Sequence, residues 1–157
     1  MKLYHGSNIP IEKVDLSKGR PYKDFGQGFY LTDILPQAER MASRITRLFK
    51  GTPCVTAFEF SLEEAKDRGL KIKIFDGPSD EWAEFVMKNR DLNTPQPCHD
   101  FDIVIGPVAN DTIARLLRMY LENFIDKPQL LKELTFAQPT SQYFFHTEAA
   151  VALLKRL

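Results

Sequence analysis

Cysteine is nearly absent: the 157 residues contain two, Cys54 and Cys98, far apart in the chain. That excludes a disulfide framework, a CxxC pair and zinc-ribbon spacing. A surplus of either charge is also missing, because 21 Lys and Arg are matched by 21 Asp and Glu. This balance argues against a dedicated polyanion binder, which normally carries a basic excess, while leaving room for a local basic patch. No apolar run approaches the ~20 residues of a membrane helix, and the stretch from Met1 to Gly6 has no signal-peptide hydrophobic region. The expectation is a cytoplasmic chain with no membrane span. Repeats, low-complexity tracts and a glycine-rich phosphate loop after a strand are lacking too. Cys98-His99-Asp100 is the only run of ligand-type side chains. Three adjacent residues do not converge on one ion unaided, so it reads as a polar loop before a strand, and no metal is expected.

What the chain does contain is 43% apolar and 27% charged residues, the balance of one globular domain over residues 1–157 with a real core. Asn93-Thr94-Pro95-Gln96-Pro97 is a loop too short to separate domains. Strands are expected around Lys2–His5, Gly28–Thr32, Val55–Phe60, Leu70–Phe75, Phe101–Ile105 and Gln142–His146. Helices are expected over Pro36–Lys50, Asp80–Asn89 behind Ser79, a segment after Asn110 or Asp111, and Pro128–Leu134. A terminal helix after Thr147 should set Ala150, Val151, Leu154 and Leu157 on one side. Trp82, Phe85 and Val86 fall on one face of their helix and read as core rather than ligand site. Without a regular βαβ rhythm, the pattern points to an α+β domain with a small, largely antiparallel sheet.

Three pieces at strands carry candidate chemistry. In Leu3-Tyr4-His5-Gly6-Ser7 a histidine closes a strand, and the glycine after it permits close backbone approach. In Gly26-Gln27-Gly28-Phe29-Tyr30-Leu31-Thr32 an aromatic pair follows two glycines; alternation sends one ring to the core and the other to a cleft. In Gln142-Tyr143-Phe144-Phe145-His146 a polar residue enters an apolar strand. Arg40, Arg44 and Arg47 recur at helical spacing, suited to an acidic partner or a nucleic-acid backbone. The absent net charge favours reading them as a solvated helix face.

These pieces resemble the ADP-ribosyltransferase superfamily, in the branch that includes diphtheria toxin and the poly-ADP-ribose polymerases. LYHGS, GFYLT and QYFFHTEAAVALLKRL are similar to its three motifs. Together with Trp82–Arg90 and Asp102–Asp111 they also resemble DUF3990, a bacterial family assigned to that superfamily. The resemblance implies an ADP-ribosyltransferase-like fold of split, largely antiparallel sheets flanked by helices. It implies NAD as co-substrate, with His5, Tyr30 and Gln142 as the catalytic set. Its implied NAD-binding residues are His5, Gly6, Ser7, Arg20, Tyr30 and Met41, with Lys18 an alternative near Arg20. Gly6 would hold the nicotinamide carboxamide by its backbone. Tyr30 would offer a ring for stacking and a spare hydroxyl. The positions that hold a serine and a second stacking tyrosine in polymerase-like members are Ala38 and Met41 here, both expected on the apolar face of their helix.

Gln142 departs from the family's usual glutamate. Glutamine can bond a ribose hydroxyl but brings no negative charge to stabilise a developing cation. Glu148 lies close by, but behind Thr147 it reads as a helix-start carboxylate. The resemblance therefore implies a mono-ADP-ribosyltransferase, of the kind found among bacterial toxins and delivered effectors, with an antitoxin or immunity protein as partner and an acceptor macromolecule of unspecified class. The alternative it leaves is a catalytically inactive module that binds NAD, ADP-ribose or a protein partner.

Overall fold

A computed structural model describes residues 1–157. In chain order the elements are β1 (Lys2–Ser7), β2 (Phe29–Leu31), α1 (Leu35–Phe49), β3 (Cys54–Glu59), α2 (Leu62–Asp67), β4 (Ile72–Ile74) and α3 (Asp80–Arg90). They continue with β5 (Ile103–Pro107), α4 (Asp111–Leu121), α5 (Lys127–Phe136), β6 (Ser141–Phe145), α6 (Glu148–Val151) and β7 (Lys155–Arg156). The fold is α+β, with two sheets ordered β1-β3-β7 and β2-β6-β5-β4. Every ladder is antiparallel except β4 with β5, which run parallel.

The period-two alternation of β6 explains the layering. Phe144 points into a core built with Phe25, Trp82, Val86, Ile113, Leu117 and Leu134. Its neighbour Phe145 points the other way, into a core with Leu3, Phe58, Phe60, Ala65 and Leu153. The four-stranded sheet is therefore buried on both faces, by α3, α4 and α5 on one side and by the three-stranded sheet on the other. Short polar side chains start the helices: Ser61, Ser79, Asn110, Asp126 and Thr147 each accept a backbone N–H of the first turn, satisfying donors that the helix leaves free.

Several expectations need correcting. The terminal helix is a single turn, and the chain then extends so that Lys155 and Arg156 pair with Glu59 and Phe58. The free edge of β3 takes a strand where local propensity favoured helix, and Leu157 is exposed rather than buried. α2 was not anticipated. Its six residues are too few to show a 3.6-residue period, although Ser61 with Glu64 does form an N-terminal signature. In α1 the buried side chains are only Ala38 and Ala42. Met41 is 44% exposed, and Leu48 and Phe49 are more so, so Met41 does not lie on the helix's buried face.

Candidate functional site

The backbones of the two sheets are hydrogen-bonded to each other at one place. Tyr4 exchanges both backbone hydrogen bonds with Thr32, at 2.7 and 3.0 Å, and beyond that bridge β1 and β2 diverge. Tyr4 spends both its polar groups on Thr32, so strand alternation turns those of His5 toward β3 and those of Gly6 back toward β2. At the opening the His5 Nδ1 lies 2.8 Å from the carbonyl oxygen of Tyr30. A carbonyl only accepts, so Nδ1 carries the proton, and Nε2 of the neutral ring is left as an acceptor. Burial pushes the His5 pKa down, against the Tyr30 carbonyl, which raises it. The His5 ring itself rests on Phe29, with centroids 4.4 Å apart.

Gly6 has a packing reason to be glycine as well. A Cβ there would lie 2.0 Å from the Ala38 carbonyl oxygen and 2.8 Å from the Ala42 nitrogen. The backbone of α1 thus occupies the side-chain position, while the N–H and C=O of Gly6 project in the plane of the sheet.

Tyr30 lies on the opposite face of β2 from Phe29, its ring 4.7 Å from that of Phe144. Its hydroxyl is not spare. It donates to the Gly26 carbonyl at 2.7 Å and accepts from the Phe25 N–H at 3.0 Å, fastening a turn in which Gly26 adopts φ +98°. Burial, the dominant cause, drives the hydroxyl's pKa well above the ordinary tyrosine value. Tyr30 is therefore no acid near neutrality, and its partly buried ring packs against the core of Phe25 and Phe144 instead of facing the His5 ring, which rests on Phe29.

Gln142 is held by a residue that sequence reasoning missed. Its Nε2 donates to Asp24 Oδ2 at 2.8 Å and to the Pro107 carbonyl at 3.2 Å. Asp24, 6% exposed, also accepts the Ala109 N–H on Oδ2 at 2.8 Å. Its other oxygen takes both the Nε and the Nη2 of Arg90, at 2.9 and 2.6 Å. The Gln142 Oε1 has no partner within the chain, yet no buried side-chain polar atom goes unpaired, so this oxygen reaches solvent. Asp24 precedes the Gly26 motif and Arg90 closes the Trp82–Arg90 motif. Their opposite charges, at the borders of two motifs, were the one signal that could have joined them.

This arrangement explains why an amide suits position 142. Gln142→Glu would replace a donor to Asp24 with a second carboxylate. Like charges at that distance resist ionising together, so the introduced carboxyl would be held above the ordinary glutamate range. The variant should lose stability relative to wild type as pH rises from 5 to 8. Equal thermal melts of the two proteins across that range would refute the contact.

The remaining candidates are dispersed. Ser7 Oγ donates to Asn8 Oδ1 at 3.3 Å. Arg20 is exposed, with its guanidinium 5.0 Å from the centre of the Phe49 ring. Met41 lies on the outer side of α1. A groove of about 1080 Å³ runs between α3, α4 and Tyr22–Lys23. It contains none of His5, Tyr30 and Gln142; its walls carry mixed charges without convergent donors. We place the candidate site where the two sheets part, because the His5 imidazole and the Gly6 backbone lie side by side there.

The turn before β2 is clamped by two further histidines. His99 Nδ1 accepts the Phe101 N–H at 3.1 Å, so its proton is on Nε2, which donates to the Phe25 carbonyl at 2.7 Å. His146 Nδ1 donates to the Gln27 carbonyl at 3.0 Å. Burial lowers the His99 pKa, with His146 adding to that effect and the Phe25 carbonyl opposing it. His5 and His99 both have folded values below the ordinary 6.5. The unfolded chain therefore binds more protons once the pH drops under that value, and stability is lost there. The melting temperature should fall between pH 7 and pH 5. His99→Gln should flatten some of that fall, and an identical pH profile would remove His99 as a cause.

No helix is long and apolar enough to cross a membrane. Comparison with curated proteins and with solved structures finds no match. Residues 1–156 do match the family described as protein of unknown function DUF3990. That match spans the opening between the sheets, the Asp24 network and the histidine clamp alike, and the chain belongs to the DUF3990 family.

Proposed function

We propose that this protein is a mono-ADP-ribosyltransferase of the diphtheria-toxin and poly-ADP-ribose-polymerase type, binding NAD where β1 and β2 diverge. The observation that carries the reading is the His5 imidazole held by the Tyr30 carbonyl beside the Gly6 backbone on β1. Gly6 offers a coplanar N–H and C=O, suited to a primary carboxamide. His5 Nε2 accepts a hydrogen bond from a ribose hydroxyl, and Tyr30 stacks on the nicotinamide as the motif resemblance implies.

In the reaction the bond between the ribose anomeric carbon and the nicotinamide nitrogen breaks, and its electron pair leaves with nicotinamide. A nucleophile on the acceptor then bonds that carbon and gives up its proton. The leaving group is already cationic, so preorganised hydrogen bonds and orientation are the protein's main contribution. The Gln142 Oε1 is an acceptor for the same ribose. The superfamily that the motifs resemble includes toxins and delivered effectors, which makes a neutralising antitoxin or immunity protein a partner to look for in the cytoplasm.

The second reading is a module that binds NAD, ADP-ribose or a protein without turning it over. What favours it is the commitment of the Gln142 amide to Asp24, which leaves no carboxylate at the position the family usually fills with glutamate. Incubation with labelled NAD and cell lysate separates the two. Nicotinamide release with label transfer is expected for the enzyme; binding without release selects the module. Calorimetry with Tyr30→Ala, checked for folding, tests the site itself. NAD affinity should drop at least tenfold, and an unchanged affinity would take Tyr30 out of it.

A further inference from the structure

The groove between α3, α4 and Tyr22–Lys23 lies outside the site described above. Asp24 ties Arg90, at the end of α3, to Ala109, just before α4. Lys127 ties Glu84, near the start of α3, to the ring of Tyr120, near the end of α4. The two helices therefore run side by side in opposite directions, and the groove follows them. Half of its lining side chains are apolar. Met87 and Leu117 form its floor, while Leu92 is 72% and Leu121 60% exposed along it. Tyr22 stands at one end with φ +60°, a backbone region that bulky side chains seldom occupy, and its ring is left half exposed. The charges around the groove are not balanced. Its acids are already engaged: Glu81 by Lys73, Glu84 by Lys127, and Asp91 by the Asn93 N–H and the Thr94 hydroxyl of its own loop. Of its cations, Arg90 is paired with Asp24, but Lys23, Lys88 and Arg118 take part in no ion pair of the structure. Partial burial first, and then the charge of Arg20, lower the Lys23 pKa, with Asp24 opposing them.

We infer that this groove docks an acidic amphipathic helix of a partner protein, with apolar side chains on its floor and carboxylates facing Lys23, Lys88 and Arg118. Two antiparallel helices leave a furrow that a third helix can fill, anchored by apolar residues at i, i+3 or i+4 and i+7. Lys88 belongs to one wall and Arg118 to the other, which calls for carboxylates on both flanks of that stripe. No strand residue lines the groove, so an extended peptide would gain no backbone ladder there. A nucleic acid would answer the cations but leave Leu92, Leu117 and Leu121 without partners. The inference goes beyond NAD chemistry and does not rest on it.

The test is selection by the full chain from a displayed library of helical peptides of about 16 residues, long enough to span α3. The selected consensus, made as a labelled peptide, is then titrated by fluorescence anisotropy. Wild type should enrich Leu or Phe at i, i+3 or i+4 and i+7, with Asp and Glu on both flanks. Lys88→Glu/Arg118→Glu should bind that consensus about tenfold more weakly and should itself select Lys and Arg flanks. Leu92→Ser/Leu121→Ser should weaken binding about fivefold through lost apolar contact. All four positions are exposed, so an unchanged melting curve verifies that each variant is folded. Absence of enrichment, acids enriched without the apolar spacing, or equal binding by the charge-reversed variant overturns the inference. So does displacement of the consensus by polyglutamate of equal charge, which would reduce the groove to a basic patch.

Discussion

Asp24→Ala should lower the melting temperature by about 6–12 °C, as read by circular dichroism. The carboxylate takes four hydrogen bonds, two from Arg90 and one each from the Ala109 N–H and Gln142. Its removal strands a guanidinium beside the core and leaves a buried backbone N–H without an acceptor. Breaking a buried ion pair on one side costs about 3–5 kcal/mol. Arg90 retains some access to water, so the low end, about 3 kcal/mol, applies. For a chain of this length each kcal/mol corresponds to about 2–4 °C. Asp24→Ala/Arg90→Met should recover some of the loss, since it removes the stranded charge with its partner. A shift under about 2 °C in the single variant would show that the network does not hold the turn to α3 and β6.

Trp82→Ala should cost about 3–5 kcal/mol, the range for deleting a large aromatic from a packed core. Trp82 is fully buried on α3 among Phe75, Val86, Ile113 and Leu130. Its Nε1 donates to the Pro107 carbonyl at 3.1 Å, the same oxygen that receives Gln142. The expected result in urea is a lower midpoint with an unchanged slope. An undiminished midpoint would refute the placement. Through Pro107, the loss should also loosen the Gln142 amide, although Trp82 itself lies in the core.

How far the sequence could be read depended on how far each signal reached along the chain. Ser79 with the apolar spacing of Trp82 and Val86 marked α3, because capping and a helical stripe are local. Strand β3 was visible in its alternation to within one residue at each end, whereas β1 runs two residues past the expected His5 to Ser7. The β7 strand was hidden, since only the open edge of β3 makes Lys155 and Arg156 extended. The parallel pairing of β4 with β5 leaves no mark in either segment. At the site, His5 and Tyr30 stood out as motif residues, but the bond joining them ends on a backbone carbonyl, which has no residue identity. Asp24 and Arg90 are 66 positions apart, and neither one's surroundings reveal the other. Met41 was misplaced for a simpler reason: two alanines against a glycine let α1 sit so close to β1 that its buried stripe is narrow.

The sheet with a core on each face has a bearing on how the molecule comes apart. Phe144 and Phe145 are consecutive, and each anchors a different core, so neither half can melt while β6 stays in place. Partial opening that exposed one side of β6 would pull the register of β2 and β5 with it, because both pair directly to that strand. The element outside this coupling is β7, at the edge of the three-stranded sheet. Slow amide exchange then belongs to β5 and β6 and requires global unfolding, while the last residues fray on their own. The Gln142 amide, seated on β6, inherits the rigidity of the most cooperative region of the chain.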